Sequence, residues 1–182
     1  MTDTPYLDVV TERLELIAGT LELANAEASN LSELGKLLRA YIPETWPPGF
    51  NDADTVAFCV KQLSRGEDQV GWWHWYVILP NHPELGRVLI GLGGFKGQPM
   101  PEGDVEVGYA ILEDFQRCGY GTEAVQGLID CAFSHDEVRY VMAETLPELK
   151  ASQGLLHKLG FHYVGAGSEA GSIRFELARP AL

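Results

Sequence analysis

The sequence predicts an α/β domain organised on a mixed sheet, and three observations lead there. Segments that alternate apolar and polar residues, the period of a strand, are interleaved with segments whose apolar residues fall at helical spacing. Two strand-like runs, 71–79 and 87–95, are separated only by the turn-forming stretch Pro80 to Pro83, which marks a hairpin. A further strand pattern over 104–112 leads through a short glycine-bearing loop straight into an amphipathic helix. At 182 residues the chain fits one domain, 1–182, long enough to bury a real core and with little room for a second.

In chain order, Leu14 to Ile17 forms a short strand, and two or three helices follow before the hairpin. Leu31, Leu34, Leu37, Leu38 and Tyr41 carry helical spacing that ends near Pro43. The stretch 43–50, Pro-Glu-Thr-Trp-Pro-Pro-Gly-Phe, is irregular because each proline lacks a donor and fixes its own backbone. Asn51 or Asp52 then caps a helix whose apolar face is Val56, Cys59, Val60 and Leu63. In the run 71–79, alternation sets Trp73 and Trp75 on one face and Trp72 with His74 on the other. Along 104–112, Val105, Val107, Tyr109 and Ile111 alternate with Glu106, Gly108 and Ala110. The helix that follows runs to about 134, with Val125, Leu128, Ile129, Ala132 and Phe133 on one face. A strand over 137–145, a helix over 150–159 and strands over 161–164 and 173–177 complete the chain, the last two joined by the glycine- and serine-rich 165–171.

Bulk properties narrow the class of function. Hydrophobic residues make up 46% and charged residues 21%, as in ordinary soluble domains, and no apolar run approaches a membrane span. Met1 to Pro5 lacks the basic and apolar regions of a signal peptide. Cys59, Cys118 and Cys131 form no Cys-x-x-Cys pair and read as reduced thiols of a cytoplasmic protein. A formal net charge of −13 argues against nonspecific nucleic-acid binding, which runs on clustered Lys and Arg. The five histidines show no metal-ligand spacing, so no metal is expected.

The informative stretch is Gln116-Arg117-Cys118-Gly119-Tyr120-Gly121, between strand and helix. The first amides of a helix lack intrahelical partners, its dipole favours negative charge there, and glycines let a phosphate approach the backbone. No Gly-Lys-Ser/Thr follows, so this is not a P-loop, and the glycine spacing is not that of a dinucleotide fingerprint.

At this junction the chain resembles the Gcn5-related N-acetyltransferase (GNAT) family, whose pyrophosphate loop reads Gln/Arg-x-x-Gly-x-Gly/Ala after a strand. Gln116, Gly119 and Gly121 match its fixed positions. A second block, Glu144 to Ser152 followed by Leu155 to Phe161, resembles the family's later motif of strand, helix and closing Leu-Gly-Phe. The opening Thr11-Glu12-Arg13-Leu14-Glu15-Leu16 resembles the first strand of the branch that acetylates ribosomal-protein N-termini. The resemblance spans about 11–178. It implies a mostly antiparallel sheet, flanked by helices, that splays open beside the glycine loop and takes the pantetheine arm of acetyl-CoA in the split. It also implies cofactor contacts from Ile111 and Leu112 at the strand end through Gln116, Arg117, Cys118, Gly119, Tyr120, Gly121 and Thr122.

Amine acetylation needs a held thioester, a neutral amine, support for the developing oxyanion and a proton for the departing thiolate. Glu106 is the expected general base, because it shares a strand face with Gly108 and Ala110 and the surface around it is low. Ser152 is the expected proton donor to the thiolate, on the family's analogy; the competing reading is a packing or capping residue. Family members commonly carry Asn where this chain has Leu149, which puts the polar network on the acceptor side in question. Trp46 and Glu144 are the expected acceptor-binding residues, with a loop anchor and an exposed strand-end carboxylate as their plain alternatives. The expected partners are acetyl-CoA and a primary amine, with no nucleic acid or membrane; dimers are common in the family. The competing function is an acyl-CoA-binding sensor or interaction module that has lost turnover.

Overall fold

The computed structural model describes residues 7–181, so the expectation about a leader over Met1 to Pro5 lies outside them. Eight strands form one sheet: β1 (Asp8–Val10), β2 (Glu15–Ala18), β3 (His74–His82), β4 (Gly86–Phe95), β5 (Asp104–Ile111), β6 (Tyr140–Thr145), β7 (His162–Ala166) and β8 (Ile173–Ala178). Their order is β1-β2-β3-β4-β5-β6-β8-β7. Every neighbouring pair is antiparallel except β5–β6, which is parallel, so the sheet is mixed and mostly antiparallel as expected. The helices are α1 (Leu21–Ser29), α2 (Leu31–Leu38), α3 (Ala53–Leu63), α4 (Tyr120–Phe133) and α5 (Lys150–Lys158).

Several boundaries depart from the sequence reading, each for a local reason. The first helical region is two helices, because Asn30 ends α1 and its side chain accepts from Ser32 and Glu33 to start α2. Arg39 adopts a left-handed conformation (φ 50°) that stops α2, so Tyr41 leaves the helix and bridges Val88 instead. Asp52, not Asn51, caps α3, accepting from the amide of Thr55 at 2.9 Å. β3 starts only at His74 and continues through Pro80 to His82. Pro80 is tolerated there because the β3–β4 register shifts between Leu79 and His82, a bulge that needs no donor from proline. β6 likewise begins at Tyr140 rather than near 137, and β1 was not anticipated.

Helices cover both faces of the sheet. On one face, Tyr76 of β3 reaches Glu27 of α1, and Ala24, Cys59 and Leu63 pack together with Trp73. On the other, α4 lies so close that a Cβ at Gly127 would come within 2.9 Å of Leu16, and one at Gly93 within 2.8 Å of Leu128. Trp75 is fully buried in the core, as are Ile17, Ile78, Leu89 and Phe175. Trp73 lies before the strand and meets Phe58 edge-on instead of sharing a strand face with Trp75.

The feature that positions the site is a parting of strands. β5 pairs with β6 only from Asp104 to Glu106, against Tyr140 to Met142. From Val107 to Ile111 its ladder runs to β4 alone, while β6 continues against β8. The β6-facing backbone groups of β5 beyond Glu106 therefore have no strand partner.

Candidate active site

The glycine loop begins where β5 ends. Gln116 ties it back, donating from Nε2 to the carbonyl of Ile111 at 2.8 Å. Arg117 (φ 61°) and Gly119 (φ 83°) both lie in the left-handed region, which turns the chain sharply into α4; glycine takes that conformation without strain. Gly119 is the N-cap residue, and no side chain caps the helix. The amides of Tyr120, Gly121 and Thr122 consequently have no acceptor among the described residues. That combination of free amides, helix dipole and small residues is the chemistry of a phosphate cradle. Gly121 also faces the second motif: a Cβ there would sit 3.3 Å from Leu155 of α5 and 3.7 Å from Ile111.

Arg13 clamps this loop, a role that the sequence reading did not assign although it singled out the block 11–16. Its Nε donates to Glu123 Oε2 at 2.7 Å, its amide to Oε1 at 2.6 Å, and its Nη1 to the carbonyl of Cys118 at 3.0 Å. The guanidinium also lies 4.6 Å from the Tyr120 ring centre. Partial burial pushes the Glu123 carboxyl up, but hydrogen bonds from Thr11 and Arg13 outweigh it and hold the group below its ordinary value.

Across the split, Ser152 sits in the first turn of α5, and its Oγ lies 2.9 Å from the hydroxyl of Tyr109 on β5. Tyr109 shares a face with Val105 and Val107 and was read from sequence only as a strand residue. Burial raises its phenol, partly offset by the Ser152 contact, so it stays protonated and able to donate. The signal that marks it is position: it is the tyrosine of the strand segment that loses its β6 partner.

The opposite face of the same segment carries the expected base. Register pairs Leu92 with Ala110 and Gly94 with Gly108, and the amide of Lys96 donates to the carbonyl of Glu106. Glu106, Gly108 and Ala110 thus line up, and a Cβ at Gly108 would meet nothing within 4 Å. The Glu106 side chain is 20% exposed and ion-paired with Lys96. A cavity of about 260 Å³ opens over Gly108 to Ala110, bounded by 92–96, His74, Thr55 and the 49–51 loop.

Three sequence expectations take a different place. Glu144, expected to bind the acceptor, is the hub of the β7–β8 turn. Its side chain is 6% exposed and accepts from Arg174, the amide and hydroxyl of Ser168, and Ser172. Burial works against that charge, but these hydrogen bonds draw its pKa down to about 2. Trp46 is buried in the core at 7% exposure, beside the Glu27 carboxyl, whose pKa burial raises and Trp46 helps to lower, which makes it a loop anchor. Leu112 offers no free donor: its amide bonds Ile90, its carbonyl accepts from Phe115, and its side chain is buried. Arg117 and Cys118 are exposed on the loop, and Leu149 occupies the N-cap position of α5 without a side-chain cap.

Residues 20–162 match the family model described as the acetyltransferase (GNAT) domain. The chain belongs to the GNAT acetyltransferase family. It is 28% identical over 151 residues to a Bacillus subtilis (strain 168) protein described as an uncharacterised N-acetyltransferase, YjdG, covering 83% of this chain and 87% of that one. Among solved structures it is similar to a ribosomal L7/L12 alpha-N-protein acetyltransferase, with a TM-score of 0.66 at 15% identity over 96% and 95% of the two chains. It is also similar to the microcin C7 self-immunity acetyltransferase solved with acetyl-CoA and AMP, at TM-score 0.62 and 15% identity over 93% and 94%. At these identities the solved structures establish the fold: the open, splayed GNAT sheet. Family membership makes this chain an acyltransferase, and the free α4 amides and unpaired β5 edge fit the acetyl donor of such enzymes. Among the described residues, no three His, Cys, Asp or Glu side chains are grouped to hold a metal ion, and no helix is long and apolar enough to cross a membrane.

Proposed function

We propose that this chain transfers an acetyl group from acetyl-CoA to a primary amine by direct attack in a ternary complex. The observation that carries it is the two-sidedness of β5 beyond Glu106. The hydroxyl pair Tyr109–Ser152 and the α4 N-terminus lie on one side of the parted strand, and the Glu106 side chain, paired with the Lys96 that lines the open cavity, lies on the other. Donor and acceptor then meet across an edge whose backbone groups are unpaired.

In that arrangement the amides of Tyr120 to Thr122 hold the pyrophosphate and the β5 edge hydrogen-bonds the pantetheine arm. A free edge amide supports the developing oxyanion. Glu106, fixed by Lys96, takes the proton lost by the amine, directly or through water, as the new C–N bond forms. Ser152 gives its proton to the departing thiolate as the C–S bond breaks, Tyr109 replaces it, and solvent returns a proton to Tyr109. The test is CoA release from acetyl-CoA with a panel of primary amines. Amine-dependent release at rates well above the enzyme-free reaction supports transfer.

One observation favours a second reading, a non-catalytic acyl-CoA sensor. Leu149, 39% exposed, stands at the uncapped start of α5, where relatives commonly carry Asn. Tight acetyl-CoA binding with no amine-dependent release across the panel would select it.

A further inference from the structure

One residue lining the cavity over Gly108 to Ala110 is held in a conformation that its side chain opposes. Pro48, Gly49, Phe50 and Asn51 form a tight turn, closed by the amide of Asn51 donating to the carbonyl of Pro48 at 3.3 Å. Its third residue, Phe50, lies in the left-handed region at φ 72°, where turns ordinarily carry Gly or Asn and a bulky side chain is strained. The flanks keep it there. Asn51 is buried and its Nδ2 donates to Glu27 Oε1 at 2.9 Å, while Asp52 caps α3 by accepting from the amide and hydroxyl of Thr55. Nothing holds the ring itself. At 85% exposure Phe50 is the most exposed large apolar residue among those described, and its ring meets no aromatic ring or cation there. A strained backbone and an apolar ring left in water both cost stability, so the fold gains nothing from phenylalanine at this position.

The cavity that Phe50 lines suits an apolar body. Leu92, Phe95 and Ala110 are apolar, and Gly94 pairs in register with Gly108, so that stretch of wall carries no side chain. Burial lowers the pKa of His74 to about 4, which leaves Lys96 as the charged side chain of the lining at neutral pH. Lys96 is ion-paired with Glu106, which lies outside the lining. At about 260 Å³ the cavity falls below the roughly 300–1,000 Å³ of pockets for drug-sized ligands, so it holds a compact group.

We propose that Phe50 is a specificity-determining residue for the acceptor. Its ring turns onto a planar apolar body seated in the cavity, with the amine projecting past Lys96 toward Glu106, and so selects compact arylalkylamines. Rotation of an exposed side chain is fast and needs no backbone change, and two aromatic rings in contact gain more than the burial of their area alone. The proposal rests on the reading of this cavity as the acceptor side.

The experiment titrates 2-phenylethylamine and ethylamine into the CoA-loaded protein by calorimetry, for the native chain, Phe50→Asn and Phe50→Tyr, with thermal melts of all three. In the native chain 2-phenylethylamine should bind at least tenfold tighter than ethylamine. Phe50→Asn, which tolerates the left-handed conformation, should remove most of that preference with CoA affinity unchanged and Tm no lower; Phe50→Tyr should keep it. Equal affinity for the two amines, no binding of either, or a preference that survives Phe50→Asn overturns the proposal. A lower Tm or weaker CoA binding in Phe50→Asn overturns it too, because Phe50 then serves the fold. Amine-dependent CoA release from acetyl-CoA, measured separately, reports on acetyl transfer. Phe50-dependent binding without release keeps the selection and sinks the transfer reading, and release at equal rates with both amines in the native chain and Phe50→Asn does the reverse.

Discussion

Arg13 Nε donates to Glu123 Oε2 at 2.7 Å, and the same guanidinium reaches the carbonyl of Cys118 at 3.0 Å. One residue beside the second strand thus holds both the first turn of α4 and the glycine loop that precedes it. The loop needs such a hold, since two of its residues are in left-handed conformations and no side chain caps the helix. If the loop is the phosphate cradle proposed above, Arg13 is its positioning residue.

Arg13→Ala should therefore weaken CoA binding by about tenfold, on the order of 1.4 kcal/mol, through a loosened loop. Arg13→Lys should recover little of it, because a lysine cannot engage Glu123 and the Cys118 carbonyl in the same planar fork. Calorimetric titration of CoA into the folded variants checks this; wild-type affinity in Arg13→Ala would show the clamp to be dispensable.

Gly121 lies between the α4 amides and Leu155 of α5. Gly121→Val should place a branched side chain in the mouth of the split and cost at least tenfold in CoA affinity, while the circular dichroism spectrum stays unchanged. A folded Gly121→Val protein that binds CoA normally would move the pyrophosphate elsewhere.

The hydroxyl pair predicts a graded response. Ser152→Ala should lower turnover and leave the CoA dissociation constant nearly unchanged, the signature of a group used in the chemical step. Tyr109→Phe should lower turnover less, because solvent can also return the proton to Ser152, and the double variant should be no slower than Ser152→Ala. Parallel losses in CoA affinity would instead make Ser152 a cofactor contact or a packing residue.

Stability should depend on pH through two groups with opposite chemistry and the same sign. Hydrogen bonds hold Glu144 at about 2 in the folded state against an ordinary 4.5, so its contribution is full above pH 4.5 and is lost as pH falls toward 2. His74, lowered to about 4 from 6.5 by burial, binds its proton more readily in the unfolded chain, which costs stability as pH falls from 6.5 to 4. Thermal melts of Glu144→Gln should show a lower Tm at pH 7 and a shallower decline between pH 4.5 and 2, with the decline above pH 4.5 retained. A decline below pH 4.5 as steep as that of the native protein would contradict the assignment.

Much of the fold was legible because it depends on local pattern. The strand–loop–helix at 104–134 combines period-2 alternation, glycines and a helical apolar face within one stretch, and the structure reproduces it closely. What escaped depends on partners far away in sequence. β1 has three residues and exists by pairing with β2. The continuation of β3 through Pro80 follows from a bulge against β4. The site residues divide in the same way. Glycine positions in the loop follow from backbone geometry and could be read directly. The fates of Glu144 and Trp46 could not, because their partners are Arg174 and Ser168 in one case and Glu27 in the other. Arg13 meets Glu123 across 110 residues and Tyr109 meets Ser152 across 43, and neither separation has a sequence signature.

The most direct test of acetyl transfer across the β5 edge is the turnover of Glu106→Gln. The substitution keeps the shape of the side chain, and glutamine still accepts from Lys96 but cannot take a proton from the amine. With an acceptor of high pKa at pH 7, turnover should fall by roughly 10²–10⁴. The loss should shrink as rising pH supplies neutral amine, with the CoA dissociation constant unchanged throughout. Near-normal turnover of a folded Glu106→Gln protein at pH 7 would contradict it, and would mean that the acceptor amine loses its proton to bulk water.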